Sequence, residues 1–542
     1  MPTLTFNKKK LLKLIGKELK DVELGELINR LKSNVEEITE NEVKVELTAD
    51  RSDMFVLEGF ARALKNFIGW ESREIKIFNS NVIVRQDEVP VRPYIACVIV
   101  KNVKLDDEDI KDLMNVQEIL HETIGRKRKK VAIGLHDFDK IEGEIFYKGV
   151  SRNDKFVPLG ETEEMSLIDV VAKTEKGKKY GSLIINANKW PAFVDDKGIF
   201  SFPPVLNSER TKITESTRNI FIDVTGIDKN AVKQAMNILV LIFGERGCRI
   251  EGVKIKGKRE IFTPEWIETS IEIEKKRIEK FLGERFEDEE LKSLLKKMGY
   301  KVVVDKDKIV AIVPPYRFDV FSEVDVIEDI AIAYGYNNFN PELPNVFTKG
   351  EILESEKVCN EIRELLVGFG FQEIVRPILT NEELQFKKMM VEGRAIKVKN
   401  PVSELYTQLR RWLLPSLMDF LSKNTKEPYP QKIFEVGDVV LLDEKSENGA
   451  KEIRKVAAAI AANGSYFAEM KKIAEEIAKK LNLDVEFRDD RHPSFIDGRF
   501  ARIYSAKEEI GFFGEINPQV LENFKIYIPV AALEIKISEF NP

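Results

Sequence analysis

At 542 residues the chain is too long for one hydrophobic core, and a formal charge of −6 argues against a protein that coats nucleic acid by its own charge. No apolar run approaches the roughly 20 residues a spanning helix needs, and the start MPTLTFNKKK lacks a signal-peptide core, so a soluble intracellular chain is expected. Cys97, Cys248 and Cys359 lie far apart without CxxC pairs, which argues against a disulfide framework or a cysteine zinc site; His121, His136 and His492 leave little material for histidine chemistry.

Residues 1 to about 75 read as a small α/β module. Asn7 can cap a helix carrying Leu11, Leu12 and Ile15, and a second helix places Leu24, Leu27, Ile28 and Leu31 on one side. Glu42 to Leu47 alternates as a half-buried strand, and ADRSD, Ala49 to Asp53, is expected to cap a helix with the stripe Met54, Leu57, Ala61, Leu64 and Ile68.

From about 76 to 264 strands and helices mix without a βαβ rhythm: Ile95 to Val103 a strand, Asp106 to Thr123 a helix, Val131 to Leu135 a strand. Two stretches there resemble site material, GLHDFDK at Gly134 to Lys140 and SFPPVLNSERTKITESTRNIFIDVTG at Ser201 to Gly226. The second gathers hydrogen-bonding side chains around a double proline, which suits a small polar ligand and equally suits a polar loop that closes turns. Arg126 to Lys130 and the set Lys254, Lys256, Lys258, Arg259 are basic runs that read as phosphate contacts or as solvated surface.

Residues about 265 to 345 carry expected helices Ile273 to Leu282 and Asp288 to Met298, then strands Lys301 to Val304 and Ile309 to Val313. A helix follows from Ser322 as cap to Gly335 as stop, with Val324, Ile327, Ile330 and Ala331 as its apolar stripe. Asp325, Glu328 and Asp329 stand at i, i+3 and i+4, with Asp319 six residues before the first. Oxygen-only donors so gathered suit a hard cation such as Mg²⁺; the same pattern suits an acidic helix start paired with Arg317.

The string RFD, a short gap and VDVIEDIAIAYGYNN resembles the small helical domain of the β subunits of phenylalanyl-tRNA synthetase, in their shorter archaeal and eukaryotic version. The resemblance implies Mg²⁺ at Asp319, Asp325, Glu328 and Asp329, the last being Asp where Glu is common. It implies that 76–264 is an editing domain that hydrolyses tyrosine wrongly attached to the phenylalanine tRNA, with Ser208 and Glu209 as polar readers, Asn207, Thr217 and Asn219 in support, and His136 positioning a water.

Beyond a polar link, residues 349–542 open with a helix bearing Val358, Ile362 and Leu365, and GFGFQEIVRPILT, Gly368 to Thr380, resembles the first signature of class II aminoacyl-tRNA synthetases. Asn400 to Asn424 and Lys432 to Glu444 resemble the second, but no arginine precedes Glu435 in the arrangement that grips ATP, and Gly511 to Phe524 lacks the arginine of the third. The expected whole is α+β and multidomain: a module at 1–75, an editing-like domain at 76–264, a small helical metal-binding domain at 265–345, and a non-catalytic, class II-like antiparallel sheet flanked by helices at 349–542. The resemblance further implies a cytoplasmic α2β2 assembly in which a partner α subunit uses ATP and phenylalanine to charge tRNA, with no membrane partner. The alternative is a scaffold whose editing pocket has decayed.

Overall fold

Two compact units divide the chain in the computed structural model, Met1–Leu343 and Pro344–Pro542, with residues 2–70, 72–344 and 346–537 described. Their sheets are predominantly antiparallel and mixed with helices, so the chain is α+β and multidomain. Among the described residues no helix is long and apolar enough to cross a membrane.

The first unit begins with a three-stranded sheet in which Glu42–Leu47 lies between Thr3–Asn7 and Ser33–Ile38. Asn7 caps the helix Lys8–Ile15 by accepting from the Lys10 amide at 3.0 Å, as its residue type demands. The ADRSD turn does something other than capping. Asp53 is taken by Arg51 in a buried two-pronged pair of 2.9 and 2.8 Å, and the helix Leu57–Phe67 starts at Val56 without a side-chain cap.

The middle of this unit is a ten-stranded sheet whose strand Arg249–Lys256 pairs in parallel with Ile77–Gln86 and antiparallel with Tyr94–Lys101. Asn219–Gly226 follows, then Val131–Asp137 at one edge; at the other edge lie Trp190–Asp195, Gly198–Phe202 and the short Leu206–Asn207. Helices Asp107–Glu122 and Lys229–Glu245 bury their apolar faces against the centre of the sheet. The two edges curl toward each other, because Asn207 Nδ2 donates to the Leu135 carbonyl at 3.3 Å across the gap.

Next come the strands Thr269–Glu274, Lys301–Val304 and Lys308–Val313 with helices Lys275–Leu282, Asp288–Lys297 and Glu323–Tyr334. Ile273 and Glu274 close a strand rather than open a helix, since Ile273 pairs with Ile309 and is buried there. The helix Glu323–Tyr334 has Ser322 as its cap and Gly335 beyond its end at φ 98°, but Val324 is exposed while Val326, Ile327 and Ile330 face the core.

In the second unit seven strands make one sheet, antiparallel except where Gln372–Glu373 meets Gln431–Leu442 in parallel. Helices Glu354–Gly368 and Phe467–Lys480 cover one face, and Leu414–Lys423 with Pro518–Phe524 covers the other. Arg410 reaches Glu435 at 2.6 Å from 25 positions upstream, Arg376 pairs with Asp419, and Arg499 with Glu515. These three arginines are therefore engaged by carboxylates of the same unit.

Candidate functional site

Where the curled edges of the ten-stranded sheet approach, they leave a cavity of about 310 Å³. That is the small end of ligand-pocket sizes, roughly 300–1,000 Å³. Its walls are largely apolar, from Leu113, Met114 and Ile133 to the Pro203–Pro204 turn, with Gln117, Arg128, Lys176 and Lys212 among them, and its floor is polar: Asp223, Ser201 and Asn207.

The floor follows from strand register. Asp223 pairs directly with Gly134 across the sheet, and a Cβ at Gly134 would stand 2.1 Å from Asp223 Oδ2 and 2.7 Å from His136 Nε2. Only glycine leaves room there for carboxylate and imidazole to meet. They do so at 2.8 Å, Ser201 Oγ donates to the same carboxylate oxygen at 3.2 Å, and Thr211 Oγ1 lies 3.0 Å from His136 Nδ1. An ionised carboxylate only accepts, so a neutral imidazole facing it donates from Nε2 and accepts from Thr211 through Nδ1. Asp223 thus stands between hydroxyl and imidazole, whereas in an acyl-transfer triad the imidazole stands between the other two. Ser201 therefore lacks the imidazole partner of such a triad.

Cationic groups shape the wall. Arg128 is buried, donates to the Pro204 and Val205 carbonyls at 3.1 and 3.0 Å and to Glu118 at 2.6 Å, and lies over the Tyr180 ring at 4.3 Å. Behind it Arg92 donates to the Thr225 and Arg128 carbonyls at 2.7 and 3.2 Å, and burial pulls its guanidinium down to about 10. Burial likewise lowers His121, to about 4, with Arg128 opposing the charge as well. Its Nε2 accepts from the Ile133 amide at 2.9 Å.

The six residues expected to edit are placed unequally. Asn207 lines the cavity. Glu209 lies at its rim, accepting from the Gly160 amide at 2.7 Å and pairing with Lys212 at 3.3 Å. His136 is fully buried one step behind Asp223, edge-on to Phe200 at 5.1 Å, and touches a ligand only through that carboxylate. Ser208 donates to the Val157 carbonyl at 3.1 Å and caps a turn, Thr217 donates to Asp137 at 2.9 Å, and Asn219 clasps Asp139 at 2.8 and 3.0 Å; these three are outside the lining. Asp223 and Ser201, which make the floor, were legible only as members of a polar stretch.

The four acidic residues of the small domain do not converge. Asp319 receives Arg317 through two bonds of 2.8 Å, and Asp329, with no solvent exposure, receives Arg317 and the Tyr300 hydroxyl at 2.6 Å each. Burial alone would lower the Arg317 guanidinium, but Asp329 and Asp319 outweigh it and raise it well above its ordinary value. Asp325 Oδ2 accepts from the Phe321 and Ser322 amides at 2.8 and 2.7 Å, closing the helix cap, and Glu328 pairs with Lys32 at 2.6 Å. Among the described residues no three acidic, histidine or cysteine groups are placed to hold a metal ion. As arranged, these donors do not fit a shared Mg²⁺; the Arg317 pairing accounts for the two buried ones.

Comparison with known proteins agrees with this layout. Residues 103–254, which contain the cavity, match the B3/4 domain; 271–336 match the tRNA synthetase B5 domain; and 340–537 match the phenylalanyl tRNA synthetase beta chain CLM domain. The three matches in this order define a chain of the aminoacyl-tRNA synthetase class. The phenylalanine–tRNA ligase beta subunit of Pyrococcus abyssi is 40% identical over 548 residues, 99% of each chain, and that of Methanocaldococcus jannaschii is 39% identical over 99% of this chain and 100% of its own. A crystal structure of an amino-terminal fragment of the Pyrococcus horikoshii phenylalanyl-tRNA synthetase beta subunit superposes with a TM-score of 0.60 at 36% identity, covering 62% of this chain and 100% of the fragment. The chain belongs to the phenylalanine–tRNA ligase beta-subunit family.

Proposed function

We propose that the cavity above Asp223 is an editing site that hydrolyses tyrosine wrongly attached to the phenylalanine tRNA, while a partner α subunit charges that tRNA with phenylalanine from ATP. The single observation that carries this reading is a largely apolar cavity closed by a floor of Asp223, Ser201 and Asn207. A pocket made for a phenyl ring rejects an added hydroxyl only weakly, because the wrong substrate leaves no buried polar group unpaired. A second pocket with a polar floor supplies that missing discrimination. With no serine–imidazole pair, the attacking group is a water; Asp223 and Asn207 hold it and accept its hydrogens, and His136 fixes the carboxylate from behind.

The rest of the assignment is by segment. Residues 1–75 support the first unit, 76–264 hydrolyse, 265–345 brace the hydrolytic domain, and 349–542 scaffold a cytoplasmic α2β2 assembly. The engaged Arg376, Arg410 and Arg499 support a sheet that grips no nucleotide of its own. Mg²⁺ enters as the counterion of ATP in the partner, and no step runs through Asp319, Asp325, Glu328 or Asp329.

The test is deacylation of tyrosyl-tRNA by the assembled complex. Asp223→Asn lowers hydrolysis roughly hundredfold, the scale of one general base, while phenylalanine charging keeps its wild-type rate. Equal loss of both activities, or hydrolysis unchanged, defeats the proposal.

A further inference from the structure

The two basic runs of the sequence have different fates in the fold. Lys254 and Lys258 are each paired, with Glu260 and Glu88 at 2.9 Å. In the other run, Arg126, Lys127 and Lys129 are exposed and have no carboxylate partner among the described residues. The backbone there is unusual: Arg126, Lys127 and Arg128 are consecutive non-glycine residues at φ 46°, 56° and 62°, a left-handed turn that L-residues otherwise enter singly. What holds it is Arg128, anchored in the cavity wall through the Pro204 and Val205 carbonyls and stacked on Tyr180.

Tyr180 ends the helix Glu175–Tyr180, which brings more positive charge to the same place. Lys176 lines the cavity without an ion-pair partner among the described residues; burial, and then Arg128, lowers its ammonium from the ordinary value. Lys178 is exposed beside it. Acidic neighbours are fewer: Glu118 is committed to Arg128, Glu122 lies 3.9 Å from Lys179, and Glu175 opens the lysine-bearing helix. In a chain of net charge −6, this corner of the cavity mouth is positive.

We propose that the left-handed turn Arg126–Lys129 and the lysines of the adjoining helix form a phosphate-binding collar that seats the single-stranded 3′ end of an RNA, so that its terminal aminoacyl ester enters the cavity. The collar rests on the reading of the cavity as an editing site. Its chemistry is backbone recognition: free cations at the mouth bind phosphates of any sequence and release counterions as they do so.

The test uses the full chain in its complex and two probes, an uncharged single-stranded RNA dodecamer ending in CCA and tyrosyl-tRNA. The combined change Arg126→Asn, Lys127→Asn, Lys129→Gln keeps residues that tolerate the left-handed region at the first two positions; Lys176→Gln with Lys178→Gln leaves the turn untouched. Removing three phosphate contacts flattens the slope of log affinity against log salt by about 2 for the dodecamer, at roughly 0.7 per contact. The KM for tyrosyl-tRNA hydrolysis rises about tenfold with kcat retained, an effect of lost phosphate contacts. A control change of the paired Lys254 and Lys258 to Gln leaves both readouts at wild type. Hydrolysis by the wild type with an unchanged salt slope in both collar variants overturns the collar and spares the editing site. A flattened slope in a complex that never hydrolyses tyrosyl-tRNA supports the collar and overturns the editing site.

Discussion

Two buried aspartates in the first unit look alike by exposure and differ in everything else. Asp329, on the helix Glu323–Tyr334, is held by a guanidinium and a phenol in the core. Asp223, on the strand Asn219–Gly226, is held by an imidazole and a hydroxyl and lies against a cavity. A full countercharge makes the first carboxylate part of a lock between strand, turn and helix. The second has no guanidinium or ammonium bonded to it, so its remaining capacity to accept hydrogen bonds faces whatever enters the cavity.

The difference is broken most forcefully at Arg317. Arg317→Met leaves Asp319 and Asp329 buried without their countercharge, and removing one partner of a buried pair costs about 3–5 kcal/mol. Chemical denaturation of the full chain, followed by hydrogen exchange in residues 265–343, should record a loss of that size. A loss below about 1 kcal/mol, the range of exposed pairs, would mean that Arg317 is no lock.

Acid separates the two regions next. His121, 1% exposed beside the cavity, has its folded value lowered from 6.5 to about 4. The unfolded chain therefore binds the proton more readily between those values, and stability is full above pH 6.5 and falls as pH drops toward 4. The drop amounts to about 3 kcal/mol at most, at 1.36 kcal/mol per unit. Asp319 is lowered too, but in a more acidic window: burial raises it, the Arg317 bonds outweigh this and hold it below 3.8, and the lock therefore persists until the pH falls beneath that value. Between pH 6.5 and 4.5, hydrogen exchange should rise in Asp107–Asp137 while Glu323–Tyr334 stays protected, and His121→Gln should abolish the rise. Simultaneous loosening of both segments would contradict the contrast.

Much of the lock's scaffold was legible in sequence. Asn7, the alternation of Glu42 to Leu47, and the Ser322 to Gly335 helix are local signals, and each element formed where they stand. The use of the acidic residues was not, because counting three and four along a helix does not say which way each one faces. Glu328 and Asp329 are neighbours about 100° apart around the axis, so one reaches out to Lys32 and the other turns in to Tyr300. Asp53 misled similarly: a capping residue type at a helix start was claimed by Arg51 two positions away. At the cavity the polar stretch was visible, yet the choice of Asp223 over Glu209 rests on which residue lies opposite Gly134, a cross-strand register that composition does not encode.

The smallest effect is the sharpest comparison, since it makes one substitution at both places. Asp329→Asn removes a charged acceptor from Arg317, and hydrogen bonds to charged groups contribute about 1.5–3 kcal/mol. Asp223→Asn keeps an oxygen that can accept from His136 and Ser201, so its cost should stay near 0.5–1.5 kcal/mol, the net worth of one ordinary hydrogen bond. Matched denaturation of the two variants should order them so, with hydrolysis of tyrosyl-tRNA ordered in reverse: lost at Asp223→Asn and retained at Asp329→Asn. If Asp223→Asn instead destabilises the chain as much as Asp329→Asn does, the cavity aspartate is a strut like its counterpart, and any loss of hydrolysis would follow from unfolding rather than from chemistry.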